Sequence, residues 1–374
     1  TFSILWPTPQ PDSMTYFGYP EASNPEVFGQ RIAKLHEQGF KAVPYSCLSF
    51  FSEAAPEWPF FATSWQTGSA DTSASDVAAY NAAFARINPL SPTYSDFIVA
   101  KNMEFMKRYD LDGFYHDNVH PYPIGTNVEG GGWVDAKGVG HAVYPILAYR
   151  DLHRRLYAAV KTERSDAHLM AHMSGKVTIP FLAYEDSYLD GEHFRDRVKD
   201  SYLDLLPLDT FRAEFMGRQW GLMPYFLPEF RGEYARQVAP TRGLMGLLLI
   251  HDVQPWNLWC NAEVVNAMFR ALDAFGYVES RFVPYFDPRP PARTALPNVQ
   301  VSAYLRDGRA LLVVANLDRE PKQGVVTIDA GRLGLPLGEV VTWPECQPVQ
   351  RQGSDLTVSM EGLDYRLLLL GPAP

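Results

Sequence analysis

The sequence predicts an α/β protein: a (β/α)8 TIM-like barrel followed by a small C-terminal antiparallel β-sandwich domain. Short apolar runs alternate with amphipathic stretches through roughly the first 280 residues, which is typical of parallel strands joined by helices. Eight such runs suit a closed barrel, which leaves no open sheet edge. Near residue 285 the pattern changes to period-two alternation. We therefore predict a catalytic barrel over 1–284 and an all-β domain over 285–374.

The predicted strands are short runs dominated by apolar residues. They cover residues 1–6, 40–46, 112–118, 168–174, 180–186, 210–216, 221–227 and 246–252. Continuous apolar strands that alternate with helices indicate a sheet buried on both faces. No helix-forming segment separates the strands near 170 and 182, or those near 213 and 224. Either one of these strands is misassigned or the barrel is degenerate.

Four amphipathic stretches predict helices, at residues 24–39, 94–110, 144–163 and 261–276. The first has clear boundaries: Asn24 suits the N-cap, Pro25 the first helical position and Gly39 the C-cap. Residues 47–93 form a long loop of the kind that usually serves a site.

The final segment begins with a proline-rich stretch at residues 285–298, which predicts a linker or an edge crossing. Alternating apolar residues then surround Asp307 and Gly308, a pair that indicates a tight hairpin turn.

Composition excludes several classes of partner. Apolar residues make up 46% of the 374 residues, so a substantial core is expected. The net charge of −10 and the lack of a basic stripe argue against nucleic acid. No run of 18 apolar residues exists, so no membrane insertion is predicted. Three separated cysteines without a CxxC pair argue against a thiolate zinc site and a disulfide framework. The high aromatic content of 13% suits flat ligands such as sugars, although an aromatic, proline-rich surface is the simpler interpretation.

The location of the protein is not determined by these features. No signal peptide is visible, and the sequence starts at Thr1 without Met. We expect a processed chain, which favours a secreted or periplasmic location over a cytoplasmic one.

Polar residues recur where the predicted strands end. Because the carboxyl ends of barrel strands share one face, these side chains are expected to converge there. The candidate site residues are Tyr115, His116, Asp117, Asn118, His172, Glu185, Asp186, Asp190, Glu192, Glu214, Asp252 and Trp256. Helix capping alone explains an acid at a single strand end. It explains poorly why six of eight predicted strand ends carry acids or imidazoles.

Paired carboxylates beside aromatic walls are what cleavage of a glycosidic bond requires. Asp117 is flanked by His116 and Asn118, which can donate hydrogen bonds, so we predict that it stays ionised and attacks or stabilises the anomeric carbon. The proton donor is expected to be Asp186 or Glu192. The other candidate residues are predicted to bind the carbohydrate substrate.

The stretch "GFYHDN" (113–118) resembles the strand-four ending of retaining α-galactosidase-type glycoside hydrolases, where an Asp-Asn pair follows an apolar run. This resemblance implies that Asp117 is the nucleophile. "SYLDGEHF" (187–194) is loosely similar to the later acid-bearing loop of that clan. A barrel followed by an antiparallel β domain is also the architecture of those enzymes and of the amylases.

A second resemblance involves "LSFFSEAAPEW" (48–58) and "PFLAYEDSYLDGEHF" (180–194), which are similar to bacterial proteins related to glycoside hydrolase family 123. That family acts on N-acetylgalactosaminides with an adjacent Asp-Glu pair and the acetamido group of the substrate. Here Asp117-Asn118 follows the strand instead, and the reversed pair Glu185-Asp186 lies later in the chain. A substrate-assisted N-acetylhexosaminidase-like hydrolase is therefore one alternative to a retaining carboxylate-pair enzyme.

Two further alternatives remain open. One is a carbohydrate-binding barrel without catalytic activity. The other is a metal-dependent barrel enzyme that uses His116, His120, His172 or His251, although the first strand lacks the HxH spacing of such barrels. We predict no metal and no cofactor, and the sequence leaves the sugar and the oligomeric state open.

Overall fold

The computed structural model describes residues 2–7, 18–67, 83–173, 175–215, 221–306 and 308–372. The chain divides into two compact units, Thr1–Leu189 and Asp190–Pro374. Residues 68–82 of the predicted long loop lie outside the described ranges, as do Thr1, Ser174, Met216 and Asp307 of other predicted elements.

The first unit alternates strands and helices. Its strands are β1 (Phe2–Leu5), β2 (Lys41–Cys47), β3 (Phe50–Ser52), β4 (Phe84–Arg86), β5 (Gly113–Asp117), β6 (Trp133–Val134), β7 (Gly140–His141), β8 (His168–His172) and β9 (Ser187–Asp190), of which the last residue belongs to the second unit. Its helices are α1 (Pro25–Glu37), α2 (Trp58–Trp65), α3 (Pro92–Tyr109), α4 (Ile146–Glu163) and α5 (Ile179–Leu182).

A parallel sheet in the order β1-β2-β5-β8-β9 forms the centre of this unit. Two short antiparallel pairs, β3 with β4 and β6 with β7, lie outside it. Helices α1, α3 and α4 bury Phe28, Ile98 and Leu152 in one core with Phe114 and Leu169 of the sheet. Burial of each apolar side chain of this size stabilises the fold by about 1.5–3 kcal/mol.

The second unit contains α6 (Leu208–Phe215), α7 (Val238–Leu249), α8 (Ala262–Phe275) and α9 (Ala330–Leu333). Its strands are β10 (Met223–Phe226), β11 (Gln254–Pro255), β12 (Arg281–Val283), β13 (Ala292–Thr294), β14 (Val299–Arg306), β15 (Arg309–Asn316), β16 (Lys322–Ile328), β17 (Val340–Thr342), β18 (Arg351–Gln352), β19 (Asp355–Met360) and β20 (Asp364–Leu370).

Strands β10 and β11 pair in parallel. The later strands form two antiparallel sheets, in the orders β12-β14-β15-β20-β17 and β13-β16-β19-β18. Apolar residues from both sheets, such as Leu312 and Leu356, share one core, so the two sheets form a sandwich. Arg306 pairs with Arg309 at the end of the predicted hairpin.

All four predicted helices are confirmed, as are the strands predicted at 1–6, 40–46, 112–118, 168–174 and 221–227. Three strand predictions are wrong. Residues 180–186 contain the end of α5 and a turn, residues 210–215 belong to α6, and residues 246–249 end α7. Most of the last turns of α7 are buried, and a continuous apolar run is compatible with a buried helix as well as with a buried strand.

The true strands at these places, β9 and β11, begin later in the chain than predicted. The antiparallel strands begin at Arg281, near the predicted change of pattern, while the domain boundary at 284/285 stays a prediction. None of the described helices combines the length and the apolar character needed to cross a bilayer.

Candidate active site

Asp117 is the last residue of β5, at the carboxyl end of the parallel strands of the first unit. Its side chain is 18% exposed, so it is largely buried but reaches solvent. This is the end of a strand at which barrel enzymes carry their catalytic groups.

Among the described residues, three neighbours contact the carboxylate of Asp117. Its Oδ2 atom accepts hydrogen bonds from the Tyr45 hydroxyl (2.7 Å) and from Asn118 Nδ2 (2.9 Å). Its Oδ1 atom accepts one from the Asn118 backbone N–H (2.7 Å) and lies 3.1 Å from His172 Nδ1. Burial alone would raise the pKa of Asp117, but the contacts with His172, Tyr45 and Asn118 outweigh it and hold this pKa below its usual value. Asp117 is therefore ionised at neutral pH.

A second layer of contacts fixes these neighbours. The Tyr115 hydroxyl lies 2.6 Å from His172 Nδ1, and the Tyr122 hydroxyl donates to Asn118 Oδ1 (3.0 Å). Asn118 has a left-handed backbone conformation with φ of 54°, which turns the chain directly after the strand. The structure thus brings the predicted residues Tyr115, Asn118 and His172 together with Asp117, while their contact with substrate stays a prediction.

Trp6 belongs to the same site but was absent from the predicted set. Its indole is 39% exposed and stacks on the Tyr45 ring, with 3.9 Å between centroids and 17° between planes. An exposed ring that packs on a donor to Asp117 is suited to stacking against a sugar. The sequence feature that could have identified Trp6 is its position at the end of the first predicted strand.

His116 and Glu185 do not reach this site. Successive side chains of a strand point to opposite faces, so His116 points away from Asp117. His116 Nδ1 lies 3.1 Å from Glu185 Oε1, and His153 Nδ1 of α4 lies 2.9 Å from the same oxygen. All three side chains are buried. Burial would raise the pKa of Glu185, but the two histidines lower it to about 2. His116 and Glu185 thus lie in a buried polar cluster with His153, and their roles in substrate binding stay predictions.

Asp186 lies at the opposite end of the sheet from Asp117. It precedes β9, accepts a hydrogen bond from the Leu169 backbone N–H (2.8 Å), and pairs with Lys161 Nζ (2.8 Å). The prediction of Asp186 as proton donor assumed that a strand ends there. Because the strand instead begins at Ser187, that assumption is wrong, and the role of Asp186 as proton donor stays a prediction.

In the second unit, Asp190 and Glu214 flank His193. Asp190 ends β9 and is fully buried, and its Oδ1 lies 3.3 Å from His193 Nδ1. Glu214 of α6 lies 3.6 Å from His193 Nε2. Burial, together with the charge of Asp190, raises the pKa of Glu214 to about 7. The structure brings these two predicted residues together, although Glu214 lies on a helix and not on the predicted strand.

Glu192 follows the carboxyl end of β9 in a short 3₁₀ helix, Glu192–Phe194. Its charge acts on Glu229, a buried residue that follows β10 and pairs with Arg231. Burial raises the pKa of Glu229 to about 7 against the opposing effect of Arg231. Glu229 was absent from the predicted set, although it follows the strand predicted at 221–227.

Asp252 and Trp256 lie on either side of β11. Asp252 precedes the strand, is buried, and accepts a hydrogen bond from the Tyr304 hydroxyl (3.0 Å). Asp252 thus lies at the amino end of β11 and not at the predicted strand end, and its contact with substrate stays a prediction. Trp256 directly follows the strand and packs edge-on against Tyr225, so its predicted role stays compatible with its position.

Two groups of described residues have the composition and spacing to hold a metal ion: His116, His153 and Glu185, and Asp190, His193 and Glu214. In each group the histidine nitrogens lie near carboxylate oxygens. The first group is joined by hydrogen bonds between the two histidines and Glu185, and the second by the ion pairs of His193 with the two acids.

Comparison with known proteins adds a family match and a fold. Residues 265–357 match the family model described as glycoside hydrolase 123, C-terminal domain. No curated protein sequence matches the chain.

Solved structures of alpha-amylases and of a debranching enzyme share the fold. A noncanonic maltogenic alpha-amylase AmyB from Thermotoga neapolitana is 11% identical over 99% of this chain and 90% of its own, with a TM-score of 0.61. The alpha-amylase of Geobacillus thermoleovorans, complexed with acarbose, is 9% identical over 100% of this chain and 89% of its own, with a TM-score of 0.64. A debranching enzyme of Nostoc punctiforme is 12% identical over 99% and 85%, with a TM-score of 0.60.

Identities this low establish the fold alone, and the predicted fold class of a barrel followed by a β domain is confirmed. The family match falls on the segment that contains the β domain. Together these findings confirm the predicted resemblance to barrel glycoside hydrolases, while glycosidase activity of this chain stays a prediction.

Proposed function

We propose that this chain hydrolyses O-glycosidic bonds of an oligo- or polysaccharide, with Asp117 as the ionised carboxylate of the reaction. The observation that carries this proposal is the environment of Asp117. Asp117 ends a parallel strand, and its contacts with Tyr45, Asn118 and His172 keep it ionised. The exposed indole of Trp6 stacks on the ring of Tyr45. A fixed negative charge beside an exposed aromatic ring suits the positive charge that develops on a sugar at the transition state.

The contacts of Asp117 also bear on the stereochemical outcome. Four donor contacts occupy most of the acceptor capacity of its two oxygens. Covalent attack on the anomeric carbon therefore requires one donor to release its oxygen, whereas electrostatic stabilisation does not. We nevertheless propose retention through a covalent intermediate, because "GFYHDN" (113–118) resembles the strand ending that carries the nucleophile in retaining glycoside hydrolases, and attack then requires one of these donors to move away. The test is to identify the first-formed anomer by NMR and to search for a labelled Asp117 after reaction with a 2-fluoroglycoside.

The proton donor in this proposal is Glu192, because it follows the carboxyl end of β9, whereas Asp186, the other predicted candidate, precedes this strand. The family match favours one further class of substrate, the N-acetylhexosaminides, which the acetamido group of the substrate would help to cleave. Aryl N-acetylhexosaminides therefore belong in any panel of substrates.

Asp117→Asn is the decisive variant. It keeps the shape of the side chain and removes the charge, so we expect kcat/KM on the best aryl glycoside of a panel to fall at least about 10³-fold. The matched control is Asp166→Asn, which removes an exposed carboxylate paired with Lys41 and should leave the rate within about twofold.

Several outcomes would contradict the proposal. Unchanged turnover by Asp117→Asn would exclude the assigned role. Sugar binding without hydrolysis of any glycoside would favour the carbohydrate-binding alternative. Loss of activity in a chelator, restored by a divalent ion, would favour the metal-dependent one.

A further inference from the structure

We propose that a groove in the second unit binds a neutral sugar, as a carbohydrate site in addition to the one around Asp117. The groove is a cavity of about 560 Å³ lined by residues of β13, the end of β16, the start of α9 and the turn before β19. Sites for small ligands usually have volumes of roughly 300–1,000 Å³. The described residues that line it all belong to the second unit, and none of them is among the predicted site residues. This inference goes beyond the proposed function, because it concerns binding and not hydrolysis.

Two opposite charges line the groove and do not pair with each other. Arg293 is exposed on β13, and its guanidinium has neither an ion pair nor a hydrogen bond with any other described residue. Asp329 is also exposed; its Oδ1 atom accepts a hydrogen bond from the Arg332 backbone N–H (3.1 Å), while Oδ2 has no partner in the described ranges. These two are the only charged residues in the described lining, so the groove carries no net charge and a ligand can reach both groups from solvent.

Two hydroxyl groups extend the polar lining. Thr327 lies opposite Arg293 in the register of β13 and β16, and its hydroxyl donates to Asp355 Oδ1 (2.7 Å), so its oxygen can still accept a hydrogen bond. Ser354 is half-buried in the turn before β19, and its hydroxyl has no partner in the described part of the chain. The groove therefore offers hydrogen-bond donors as well as acceptors.

Backbone hydrogen bonds hold these groups in place. The Asp329 N–H donates to the Pro291 carbonyl next to β13 (2.8 Å), and the Ile328 N–H donates to the Ser354 carbonyl (2.8 Å). The three segments that carry the polar groups are thus joined before a ligand arrives. A preorganised site loses less conformational freedom on binding than a flexible one.

The groove also has an apolar part. Ala292 and Ile328 are each 3% exposed, and Pro290 and Leu337 are half-buried. A sugar ring presents C–H groups on its faces and hydroxyl groups at its rim, so it suits a site with both kinds of surface. No aromatic ring is among the described lining residues, so the polar contacts have to supply most of the affinity.

The two charges select a neutral sugar over an ion. A guanidinium donates to hydroxyl oxygens and a carboxylate accepts from hydroxyl groups, and each contact with a charged partner is stronger than one between neutral groups. An anion that approaches Arg293 meets Asp329, and a cation that approaches Asp329 meets Arg293. A polyol without charge satisfies both groups at once. Charge complementarity thus favours a neutral carbohydrate chain as the occupant.

Binding is tested on the full chain with Asp117→Asn, which prevents consumption of the probes. The probes are maltohexaose, cellohexaose and chitohexaose as neutral chains, and hexagalacturonate as the acidic one. We expect at least one neutral chain to slow hydrogen exchange at residues 326–331 and 354–356. The concentration at which it reaches half of its effect should be at least about tenfold lower than that of hexagalacturonate.

Two variants remove one charge each. Arg293→Met and Asp329→Asn should each raise this half-effect concentration at least about tenfold, and the amide introduced by Asp329→Asn can still cap α9. Arg351→Met, on β18 of the same sheet, is the matched control and should leave it unchanged. In the protein with intact Asp117, Arg293→Met should change kcat/KM on an aryl glycoside less than about twofold, because Arg293 is not part of the proposed catalytic machinery.

No protection of these segments by any probe, or protection that is unchanged in both variants, would overturn the inference. Tighter binding of hexagalacturonate than of every neutral chain would overturn it as well. Protection of the groove in a protein that cleaves no glycoside would support the inference while the proposed function fails. Cleavage of glycosides by a protein whose groove is never protected would mean that the inference alone fails.

Discussion

At the scale of single residues, successive side chains of β5 point to opposite faces of the sheet, and this decides which polar groups can act together. Tyr115 and Asp117 share one face and contact His172, whereas His116 points to the other face and meets Glu185. The sequence predicts Asp117 at a strand end because an apolar run stops there. It could not show that Tyr45 and Trp6, more than 70 residues away in the chain, complete its surroundings, because that contact depends on the pairing of β1, β2 and β5.

The proposed role of Glu192 can be tested by varying the leaving group. Protonation of the departing oxygen matters for a sugar alcohol and matters little for an activated phenol. We expect Glu192→Gln to lower kcat/KM on a disaccharide about 10²–10⁴-fold and on a 2,4-dinitrophenyl glycoside less than about tenfold. Glu233→Gln, at an exposed position in the same unit, is the control and should affect neither substrate. Equal losses on both substrates would instead direct attention to Glu214 and Glu229, whose pKa values are raised to about 7.

At the scale of secondary structure elements, local signals predict helices better than buried strands. Asn24 caps its helix as the sequence predicts, because a cap is a contact within a few residues, and Asn261 caps α8 in the same way. Helix α7 has no side-chain cap that would mark its start in the sequence. Because most of its last two turns are buried, its apolar residues are continuous and do not show the 3.6-residue period of an amphipathic helix. The sequence predicts a strand that ends at Asp186, whereas β9 begins at Ser187. Glu185 and Asp186, which was one of the two predicted proton donors, therefore precede a strand instead of ending one.

The buried cluster of His116, His153 and Glu185 connects β5, α4 and the segment before β9. Glu185→Gln removes a buried charge on which both histidines depend, so we expect the free energy of unfolding at pH 7 to fall by about 3 kcal/mol. The pKa of Glu185 is about 2 in the folded protein, below an unfolded value of about 4.3. Its ionised form therefore stabilises the fold above about pH 4.3, and this contribution is lost as the pH falls toward 2.

Urea unfolding of wild type and Glu185→Gln at pH 7 and at pH 3 measures both effects. The difference between the two proteins should be smaller at pH 3. Glu163→Gln, at the exposed end of α4, should change stability by less than about 0.5 kcal/mol. A Glu185→Gln protein as stable as the wild type at pH 7 would show that the cluster does not hold these elements together.

At the scale of the whole molecule, fold and activity need separate arguments. Enzymes about 10% identical to this chain share its fold, so the fold alone leaves the substrate and the reacting residues undetermined. Alternation of strands and helices predicts the parallel sheet, and the change of period near residue 285 predicts the antiparallel sheets. The division of the chain at Leu189 leaves no mark in the sequence pattern, because it reflects which elements pack together and not where the pattern changes.

The second unit contains contacts that connect residues on both sides of the predicted boundary at 284/285. Arg242 of α7 donates to Asp364 Oδ1 (2.5 Å) and to the Tyr365 carbonyl (2.8 Å) of β20. Ser302 donates to the Ile250 carbonyl (2.8 Å). These contacts predict that α7 and the antiparallel sheets unfold together.

Arg242→Met tests this cooperativity. It leaves Asp364 largely buried without its strongest partner, so we expect a loss of about 2 kcal/mol in unfolding free energy, less than for a fully buried pair because Arg242 is 30% exposed. Hydrogen exchange should accelerate to the same extent at Leu247–Leu249 in α7 and at Leu311–Val314 in β15. Arg351→Met, at an exposed position on β18, is the matched control and should change neither segment. Faster exchange in β15 with α7 unchanged would show instead that the cooperative boundary lies at residue 284, where the sequence pattern places it.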